Sequence, residues 1–389
     1  MMHIRSPRYS AFWLFLCFLL GAAPLLAQAQ MIPRPPQVDA RSYLLLDANS
    51  GHVLVEHNAD KELPPASLTK MMTAYLVEKE IQAGHISEQD MVPISVKAWR
   101  MGGSRMFIQE GSRVSVDDLL KGVIIQSGND ASVALAEYVA GSEDAFVDLM
   151  NNQARQLGMN NTHFVNSTGW PAENHYTTAR DLAWLARAII RDYPEHYDVY
   201  AEKEFTYNDI TQPNRNLLLW RDETVDGLKT GHTEEAGYCL VSSAKQNDMR
   251  LIAVVMGTDS EAARARESQK LLSYGFRFHE TYQGYGAGDV LDTPRVWLGD
   301  ANQVRLGLAE ELVLTIPKGS RDQLSAEMSI QPELRAPIRE GDQYGTLTVK
   351  LGDEQLVQRP LVALETVEQA GLFSRIWDHI VLFFKGLFD

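Results

Sequence analysis

The spacing of apolar residues divides the chain into four stretches with different patterns. Residues 1–29 hold two arginines, an apolar run at 11–20 and a small-residue site at 27–29, a combination typical of a secretory signal peptide. Residues 30–287 mix alternating and helical periods, whereas residues 288–370 consist of short alternating runs. We therefore expect a cleaved leader, two globular domains and a distinct C-terminal segment at 371–389.

In residues 30–287, strand-like runs come first and last, and helical periods lie between them. The first two runs, within 43–56, flank a turn at Gly51 and predict a hairpin. Three further runs within 225–256 precede a helical period over 261–274. A sheet built from such distant segments, with helices between them, indicates an α+β domain.

Residues 288–370 contain six short alternating runs separated by turn residues such as Gly319 and Gly341. This spacing predicts a small all-β sandwich. The stretch holds no pair of residues suited to act as nucleophile and base. We expect it to serve as a spacer or a docking surface.

The tail at 372–388 has the period of an amphipathic helix. At about 100° per residue, its aromatic and aliphatic side chains share one half of the helix, and Leu382 is the exception. The segment is short for a membrane span and carries charge along its length, so it should lie in a bilayer interface with its aromatic face submerged. The alternative is a helix packed on the protein itself.

Composition excludes several classes of function. The 389 residues carry a formal net charge of −15, which argues against nucleic acid as a partner. There is no phosphate-binding loop and no Cys/His cluster with zinc spacing, so neither a cofactor nor a metal is expected. Cys17 leaves with the predicted signal peptide, and Cys239 alone cannot form an intrachain disulfide.

Ser67 and Lys70 are the first candidate catalytic pair. They follow two prolines and precede an apolar run, which places both side chains on one face of a helix in its first turn. A lysine removed from water can lose its proton near neutral pH and act as a base for the serine. Ser242 and Lys245 have the same spacing, but they lie in a strand-like run, where such positions face opposite sides.

Two further motifs lie downstream. Ser127-Gly128-Asn129 occupies a polar loop between two apolar helices, and would bring a hydroxyl and a carboxamide to the edge of a cleft. Such a loop is also typical of a simple turn and helix cap. Lys229-Thr230-Gly231 lies in an extended segment, where the missing side chain of glycine lets another backbone or a ligand approach.

These three motifs, in this order, resemble those of the penicillin-binding and serine β-lactamase superfamily. Longer matches make the chain similar to the low-molecular-mass D-alanyl-D-alanine carboxypeptidases of the bacterial envelope, peptidase family S11. The resemblance covers nearly the whole chain and implies a transpeptidase-like domain with an antiparallel sheet and a helical subdomain at 30–287. It further implies a β-rich domain at 288–370 and a membrane-anchoring helix at 371–389. The longer matches are 65–73, 212–216 and 226–233.

The resemblance implies a role for each motif. Ser67 attacks the carbonyl between the two terminal D-alanines of a peptidoglycan stem peptide and forms an acyl-enzyme, with Lys70 as general base. Ser127 relays a proton to the departing amine, Asn129 binds the substrate amide, and Lys229 supplies positive charge nearby.

The resemblance also implies how the substrate is held. Backbone N–H groups of Ser67 and His232 form the oxyanion hole, and the side chain of His232 is either beside the substrate or structural. Family position points to Thr230, next to Gly231, together with Arg215 or Arg264 for the terminal carboxylate. The loops at 102–107 and 166–175 are expected to flank the cleft.

Three alternatives stay open. A β-lactamase needs a carboxylate that positions water, and Glu204 with Asn208 offers one only superficially, because the run containing them is strand-like. A peptidoglycan D,D-endopeptidase would use the same machinery on a longer leaving group. A non-catalytic envelope scaffold would bind peptidoglycan and merely retain the motifs, which intact Ser67 and Lys70 argue against.

The preferred interpretation is a carboxypeptidase exported to the outer face of the cytoplasmic membrane. There it would be bound to the membrane surface through residues 372–388. As mimics of D-Ala-D-Ala, β-lactam antibiotics should acylate Ser67. Whether the protein forms a homodimer is left open by the sequence.

Overall fold

The central element is a five-stranded sheet in which every neighbouring pair is antiparallel. The computed structural model describes residues 32–388, and the side chains of 384–388 are not described; the predicted signal peptide at 1–29 lies outside the described residues. The sheet has the order β2-β1-β9-β8-β7, so its first hairpin pairs with strands about 200 residues later. Its strands are β1 (Ser42–Asp47), β2 (Val53–His57), β7 (Val225–Thr233), β8 (Gly237–Gln246) and β9 (Met249–Thr258).

The sheet is covered on both faces. Along β1, Leu44 and Leu46 pack into the core under the helices, whereas Leu45 packs into a second core with Leu271 and Leu272. Alternate residues of a strand point to opposite faces, so an uninterrupted apolar run supplies both cores. This explains why the middle of β1, residues 43–46, is an uninterrupted apolar run instead of an alternating one.

The helical subdomain lies between the early and late strands of the sheet. A 3₁₀ turn at Ala66–Thr69 leads into the first α-helix, of which the first nine residues are buried. The predicted α+β class is confirmed, and the closing helix extends four residues beyond its predicted end. The helices of this part are α1 (Lys70–Gln82), α2 (Val96–Trp99), α3 (Val116–Ile124), α4 (Asn129–Ala140), α5 (Glu143–Gln156), α6 (Ala179–Asp192), α7 (Leu218–Arg221) and α8 (Glu261–Phe278).

Capping residues set the limits of several helices. The Ser115 hydroxyl accepts the N–H of Asp118 at the start of α3, and the Thr178 hydroxyl accepts that of Asp181 at the start of α6. Helix α4 ends at Gly141, whose φ of +78° is the left-handed conformation that favours glycine. Two short hairpins accompany the helices: β3 (Met91–Pro93) with β4 (Arg113–Ser115), and β5 (Glu204–Tyr207) with β6 (Ile210–Pro213).

The C-terminal part is all-β, as its alternating runs predicted. A five-stranded sheet has the order β11-β13-β18-β17-β15, and two-stranded sheets pair β10 with β14 and β12 with β16. Strand β10 precedes residue 287, the predicted end of the first domain, yet it pairs with β14, which follows that residue. The strands are β10 (His279–Gln283), β11 (Val290–Asp292), β12 (Val296–Trp297), β13 (Leu306–Gly307), β14 (Val313–Pro317), β15 (Leu324–Ile330), β16 (Leu334–Arg335), β17 (Gln343–Leu351) and β18 (Glu354–Ala363).

A buried carboxylate joins the first hairpin to this β-rich part. Asp47 is fully buried at the end of β1, and one of its oxygens accepts the hydroxyls of Thr281 at 2.8 Å and Thr315 at 2.7 Å. The Thr315 hydroxyl also lies 2.6 Å from that of Ser50. Because a buried carboxylate is stable only when its oxygens are hydrogen-bonded, these contacts fix the hairpin against β10 and β14.

The terminal helix α9 (Leu372–Phe388) presents its apolar face outward. Phe373 is 88% exposed and Trp377 is 67% exposed. On another side of the helix, an Asp378 carboxylate oxygen accepts the backbone N–H of Leu298 at 2.7 Å. Half-buried Leu382, one turn after Asp378, shares that side, which accounts for its exceptional position in the helical pattern. Within residues 32–388, no helix is long and apolar enough to cross a membrane.

Candidate active site

The turn that carries Ser67 is held between the prolines before it and helix α1 after it. Sequence predicted an α-helical first turn, but the structure has a 3₁₀ turn, in which residues three apart are eclipsed. The Ser67 hydroxyl therefore lies directly beside the amine of Lys70, with 3.2 Å between Oγ and Nζ. The two side chains lie close together as predicted, but a 3₁₀ turn brings them together instead of an α-helical one.

The Lys70 side chain joins three separate segments of the site. Only 1% exposed, its amine donates to the side-chain oxygen of Asn129 at 2.7 Å and to the backbone oxygen of Thr168 at 2.5 Å, besides Ser67. Burial lowers the pKa of Lys70 to about 7, and the charge of Arg215 acts in the same direction. A substantial share of the amine is therefore neutral at neutral pH and able to accept a proton.

The Ser127 loop supplies a buried hydroxyl. Ser127 has a φ of +66° and is 2% exposed, and its Oγ has no hydrogen-bond partner among the described residues. Asn129, the first residue of α4, donates its amide N–H to Gly102 O at 2.7 Å. An unpaired buried hydroxyl is costly, and the Ser127 hydroxyl can take a further hydrogen-bond partner without giving one up.

Asp130 is a site residue that sequence reasoning missed. Its buried carboxylate accepts the backbone N–H groups of Met106, Phe107 and Ile108, at 3.0, 2.9 and 3.3 Å. These bonds hold the 102–107 loop against the Ser127 loop. An aspartate in the first turn of a helix was visible in the sequence, but such a residue is ordinarily explained by the helix dipole.

Strand β7 forms the opposite side of the cleft. Lys229 is buried, and its amine donates to the backbone oxygen of Thr230 at 3.1 Å; burial holds its pKa well below the usual value. A Cβ at Gly231 would lie 3.2 Å from both Leu68 Cγ and Pro65 O. The absence of a side chain at Gly231 thus lets β7 pack against the Ser67 turn.

The two candidate arginines have different surroundings. Arg215 is exposed and donates to the Ser104 hydroxyl at 2.7 Å, at the edge of the cleft. Arg264 is 2% exposed, and its guanidinium donates to the backbone oxygens of Gly231 at 3.4 Å and Arg215 at 3.3 Å. Arg264 therefore supports the strand and the Arg215 segment from within the protein.

His232 stands at the exposed end of β7. Its ring stacks on that of Tyr238, with 3.9 Å between centroids. The guanidinium of Arg264 lies 5.6 Å from the same tyrosine ring. The position of the His232 ring is thus set by an aromatic partner on β8, which the sequence did not indicate.

The loop after α5 is anchored by groups that sequence reasoning did not single out. One side-chain oxygen of Asn166 accepts the N–H groups of Thr168, Gly169 and Trp170, at 3.1, 2.8 and 3.1 Å. Buried Glu143 accepts both the N–H and the hydroxyl of Ser167, and forms an ion pair with Lys97 at 2.8 Å. The loop that supplies Thr168 O to Lys70 is therefore rigidly held.

These elements enclose a cleft of about 650 Å³. Both predicted flanking loops contribute to it, the first with Gly103 and Ser104. Glu204 is an exposed residue of strand β5, so the strand context used to discount it is confirmed. The lining residues are Ser67, Gly103, Ser104, Asn129, Thr168, Gly169, Trp170, Pro171, His232, Thr233, Glu234 and Glu235.

A serine hydroxyl beside a buried lysine amine, next to an antiparallel sheet, is the arrangement of a serine acyl-transfer enzyme. Residues 29–260 match the D-alanyl-D-alanine carboxypeptidase family, and residues 279–369 match the C-terminal domain of penicillin-binding protein 5. The chain belongs to this family of D-alanyl-D-alanine carboxypeptidases, as its motifs predicted. It is therefore a peptidase.

Individual relatives support this membership over most of the chain. The D-alanyl-D-alanine carboxypeptidase DacC of Escherichia coli K12 is 47% identical over 379 residues, which cover 95% of each chain. Penicillin binding protein 5 from Haemophilus influenzae is similar in structure, with a TM-score of 0.84 and 43% identity over 87% of this chain and 100% of that chain. Penicillin-Binding Protein D2 from Listeria monocytogenes, solved in an ampicillin-bound form, is 30% identical with a TM-score of 0.58, over 63% of this chain and 100% of that chain.

Gly169 tests how tightly the cleft is assembled. Gly169 has a φ of +84°, and a Cβ at this position would lie 1.7 Å from the Ala66 carbonyl oxygen, so no side chain fits there. Gly169→Ala should lower the free energy of unfolding by at least about 3 kcal/mol, as measured by urea denaturation.

The matched control is Gly84→Ala. Gly84 has a similar φ of +73°, but a Cβ there would meet nothing within 4 Å. It should lose only about 1–2 kcal/mol, the cost of a left-handed alanine. Equal losses in the two variants would show that the contact with Ala66 does not matter.

Proposed function

We propose that this protein is a serine D-alanyl-D-alanine carboxypeptidase that removes the terminal D-alanine from peptidoglycan pentapeptide stems through an acyl-enzyme at Ser67. The observation that carries the proposal is the Ser67 hydroxyl 3.2 Å from the buried amine of Lys70. The names of the relatives support the choice of substrate. Their similarity extends over the β-rich part as well as the α+β part.

Acylation begins when the neutral Lys70 amine takes the Ser67 proton and the oxygen attacks the carbonyl between the two D-alanines. The oxyanion that forms is stabilised by the N–H groups of Ser67 and His232. Collapse of the intermediate breaks the C–N bond, and the proton reaches the departing amine through the Ser127 hydroxyl. Water then attacks the ester, frees the shortened stem and returns a proton to Ser67.

Binding of the substrate uses both sides of the cleft. Asn129 contacts the peptide amide, while Lys229 adds positive charge and Thr230 a hydroxyl beside the leaving residue. Between the two arginines we assign the terminal carboxylate to Arg215, because it is exposed at the cleft edge whereas Arg264 is buried with backbone carbonyls as its partners. The positive charge of Arg215 would pair with the carboxylate of the leaving D-alanine. It therefore favours a substrate that ends at this residue over one with a longer leaving group.

Ser67→Ala tests the nucleophile. D-alanine release from a muropeptide ending in D-Ala-D-Ala should fall by roughly a thousandfold or more, since within residues 32–388 the Lys70 amine is hydrogen-bonded to no hydroxyl other than that of Ser67. Labelling by a fluorescent penicillin should disappear with it. The matched control is Ser242→Ala, which removes a serine of the same spacing to a lysine but within strand β8.

Three results would contradict the proposed reaction. Release that persists in Ser67→Ala would exclude Ser67 as nucleophile. A protein that is labelled by penicillin and cleaves crosslinked dimers, but releases no D-alanine, would be an endopeptidase. Neither labelling nor release from folded protein would indicate a scaffold.

The pKa of Lys70 predicts the pH dependence of acylation. The base is inactive when protonated, so the second-order rate constant for penicillin acylation should rise about tenfold per pH unit below pH 7 and level off above it. The charge of Arg215 helps to lower this pKa. In Arg215→Gln the midpoint should therefore move to higher pH, and a profile flat between pH 5 and 8 would contradict Lys70 as the base.

We also propose that the protein is exported and is held at the outer face of the cytoplasmic membrane by residues 372–388. The sequence pattern at 1–29 supports export. The outward apolar face of α9 supports a bilayer contact, and the bond from Leu298 N–H to Asp378 ties the helix to the β-rich part. In this arrangement residues 30–287 form the catalytic domain, and residues 288–370 hold it away from the membrane.

Membrane binding can be measured by cosedimentation with phosphatidylcholine vesicles. The double variant Phe373→Ser and Trp377→Ser should bind at least about tenfold more weakly, because each ring contributes on the order of 2 kcal/mol when buried in lipid. A control replaces Val290 and Met328, which are also exposed apolar residues, by serine. Loss of binding in the control, or strong binding by the helix variant, would refute the anchor.

A further inference from the structure

Residues 167 and 168 connect helices α1 and α5 through their backbone; we name them the 167–168 bridge. Ser167 and Thr168 are both buried. Toward α1, the Thr168 backbone oxygen accepts the Lys70 amine at 2.5 Å, and the Ser167 backbone oxygen accepts the Thr73 hydroxyl at 2.7 Å. Lys70 and Thr73 are three residues apart and share one face of α1, so two consecutive carbonyl groups are fixed to that face.

Glu143 holds the opposite side of the 167–168 bridge. It is the first residue of α5 and is 9% exposed. Its Oε1 accepts both the backbone N–H of Ser167 at 3.0 Å and the Ser167 hydroxyl at 2.7 Å, whereas its Oε2 pairs with the amine of half-exposed Lys97 at 2.8 Å. One oxygen therefore binds the bridge, and the other binds a cation near the surface.

Glu143 stays ionised over the pH range in which Lys70 titrates. Burial opposes the ionisation of this carboxyl, but the bonds from Lys97 and Ser167 outweigh burial and lower its pKa below the usual value. The N-terminus of α5 favours the same charged form. We therefore expect the bond between Glu143 and the bridge to be unchanged between pH 5 and 9, while the charge of Lys70 changes.

Charged and titratable groups from several elements surround the Lys70 amine. Arg215 lowers its pKa, Asp130 raises it, and Lys229 and His175 also lie within electrostatic reach. The His175 ring is neutral, because burial lowers its pKa to about 4. Burial is nevertheless the main cause of the low pKa of Lys70, and the 167–168 bridge is one of the walls that bury this amine.

We propose that Glu143 is a positioning residue for acylation, because it holds the 167–168 bridge against the Lys70 amine and so keeps water away from the base. This inference rests on the proposed function, in which Lys70 takes the proton of Ser67. If the bridge is loosened, water reaches the amine and replaces the Thr168 oxygen as its hydrogen-bond acceptor. The charged amine then gains hydration, and a smaller share of Lys70 is neutral at a given pH.

Glu143→Ala tests this role, because it removes both bonds to Ser167. The midpoint of the pH profile for penicillin acylation, measured from pH 5 to 9, should rise by about one unit, since relieved burial raises the pKa of a lysine. At pH 6 the acylation rate should fall about tenfold, whereas at pH 9 it should return to within about threefold of the wild-type rate. A variant that is only less stable would lose rate to the same extent at both pH values.

Three further variants complete the experiment. Glu143→Gln keeps a side-chain oxygen for Ser167 and loses only the ion pair with Lys97, so it should keep the wild-type midpoint. Ser167→Ala loses one of the two bonds to Glu143 and should shift the midpoint by about half as much, which provides the test if Glu143→Ala does not fold. Ile189→Ala is the control for stability. Ile189 is buried roughly 15 Å along α6 from the end that follows the 166–176 loop, so its loss should lower the urea midpoint of unfolding and leave the acylation midpoint unchanged.

The outcomes separate the role of Glu143 from the reaction itself. An unchanged midpoint in Glu143→Ala, or in Ser167→Ala if the first variant does not fold, would overturn the proposal. Equal losses of rate at pH 6 and pH 9, or a shift in Glu143→Gln as large as that in Glu143→Ala, would do the same. Wild-type protein that is neither acylated by penicillin nor able to release D-alanine would instead overturn the proposed function.

Discussion

The buried amine of Lys70 is the interaction on which the cleft depends. A single nitrogen, shielded from water, joins the turn of Ser67, the start of α4 at Asn129 and the loop at Thr168. Hydrogen bonds in such a low-dielectric environment are strong, and leaving any partner unpaired is costly. The same burial disfavours the charged amine, so the contact that assembles the cleft also prepares the base.

Close backbone approach lets the other elements reach this amine. Gly231 allows β7 to pack against the Ser67 turn, and Gly169 brings the 166–176 loop within contact of Ala66. The two loops that flank the cleft are each held by one side chain that accepts several backbone N–H groups. Asn166 holds the 166–176 loop, and Asp130 holds the 102–107 loop. Catalytic groups held by such packed, hydrogen-bonded supports need little rearrangement to act.

Carboxylates also organise the C-terminal part. Asp47 accepts hydroxyls from β10 and β14 and so joins the catalytic sheet to the β-rich strands. Asp378 accepts a backbone N–H from Leu298 and leaves the aromatic side of α9 exposed. Directional bonds of this kind determine which side of an amphipathic helix faces the protein, since apolar contact alone is not directional.

The sequence by itself determined the elements and the principal chemistry: the hairpin, the α+β order, the all-β part, the amphipathic tail and the pairing of Ser67 with Lys70. These features depend on short-range periodicity and spacing, which local sequence records. The tertiary structure decided the rest, including the anchoring role of Asp130, the exposure of Arg215 against the burial of Arg264 and the pairing of strands across residue 287. Each of these depends on partners distant in sequence, and burial and charge pairing are set only when the chain has brought such partners together.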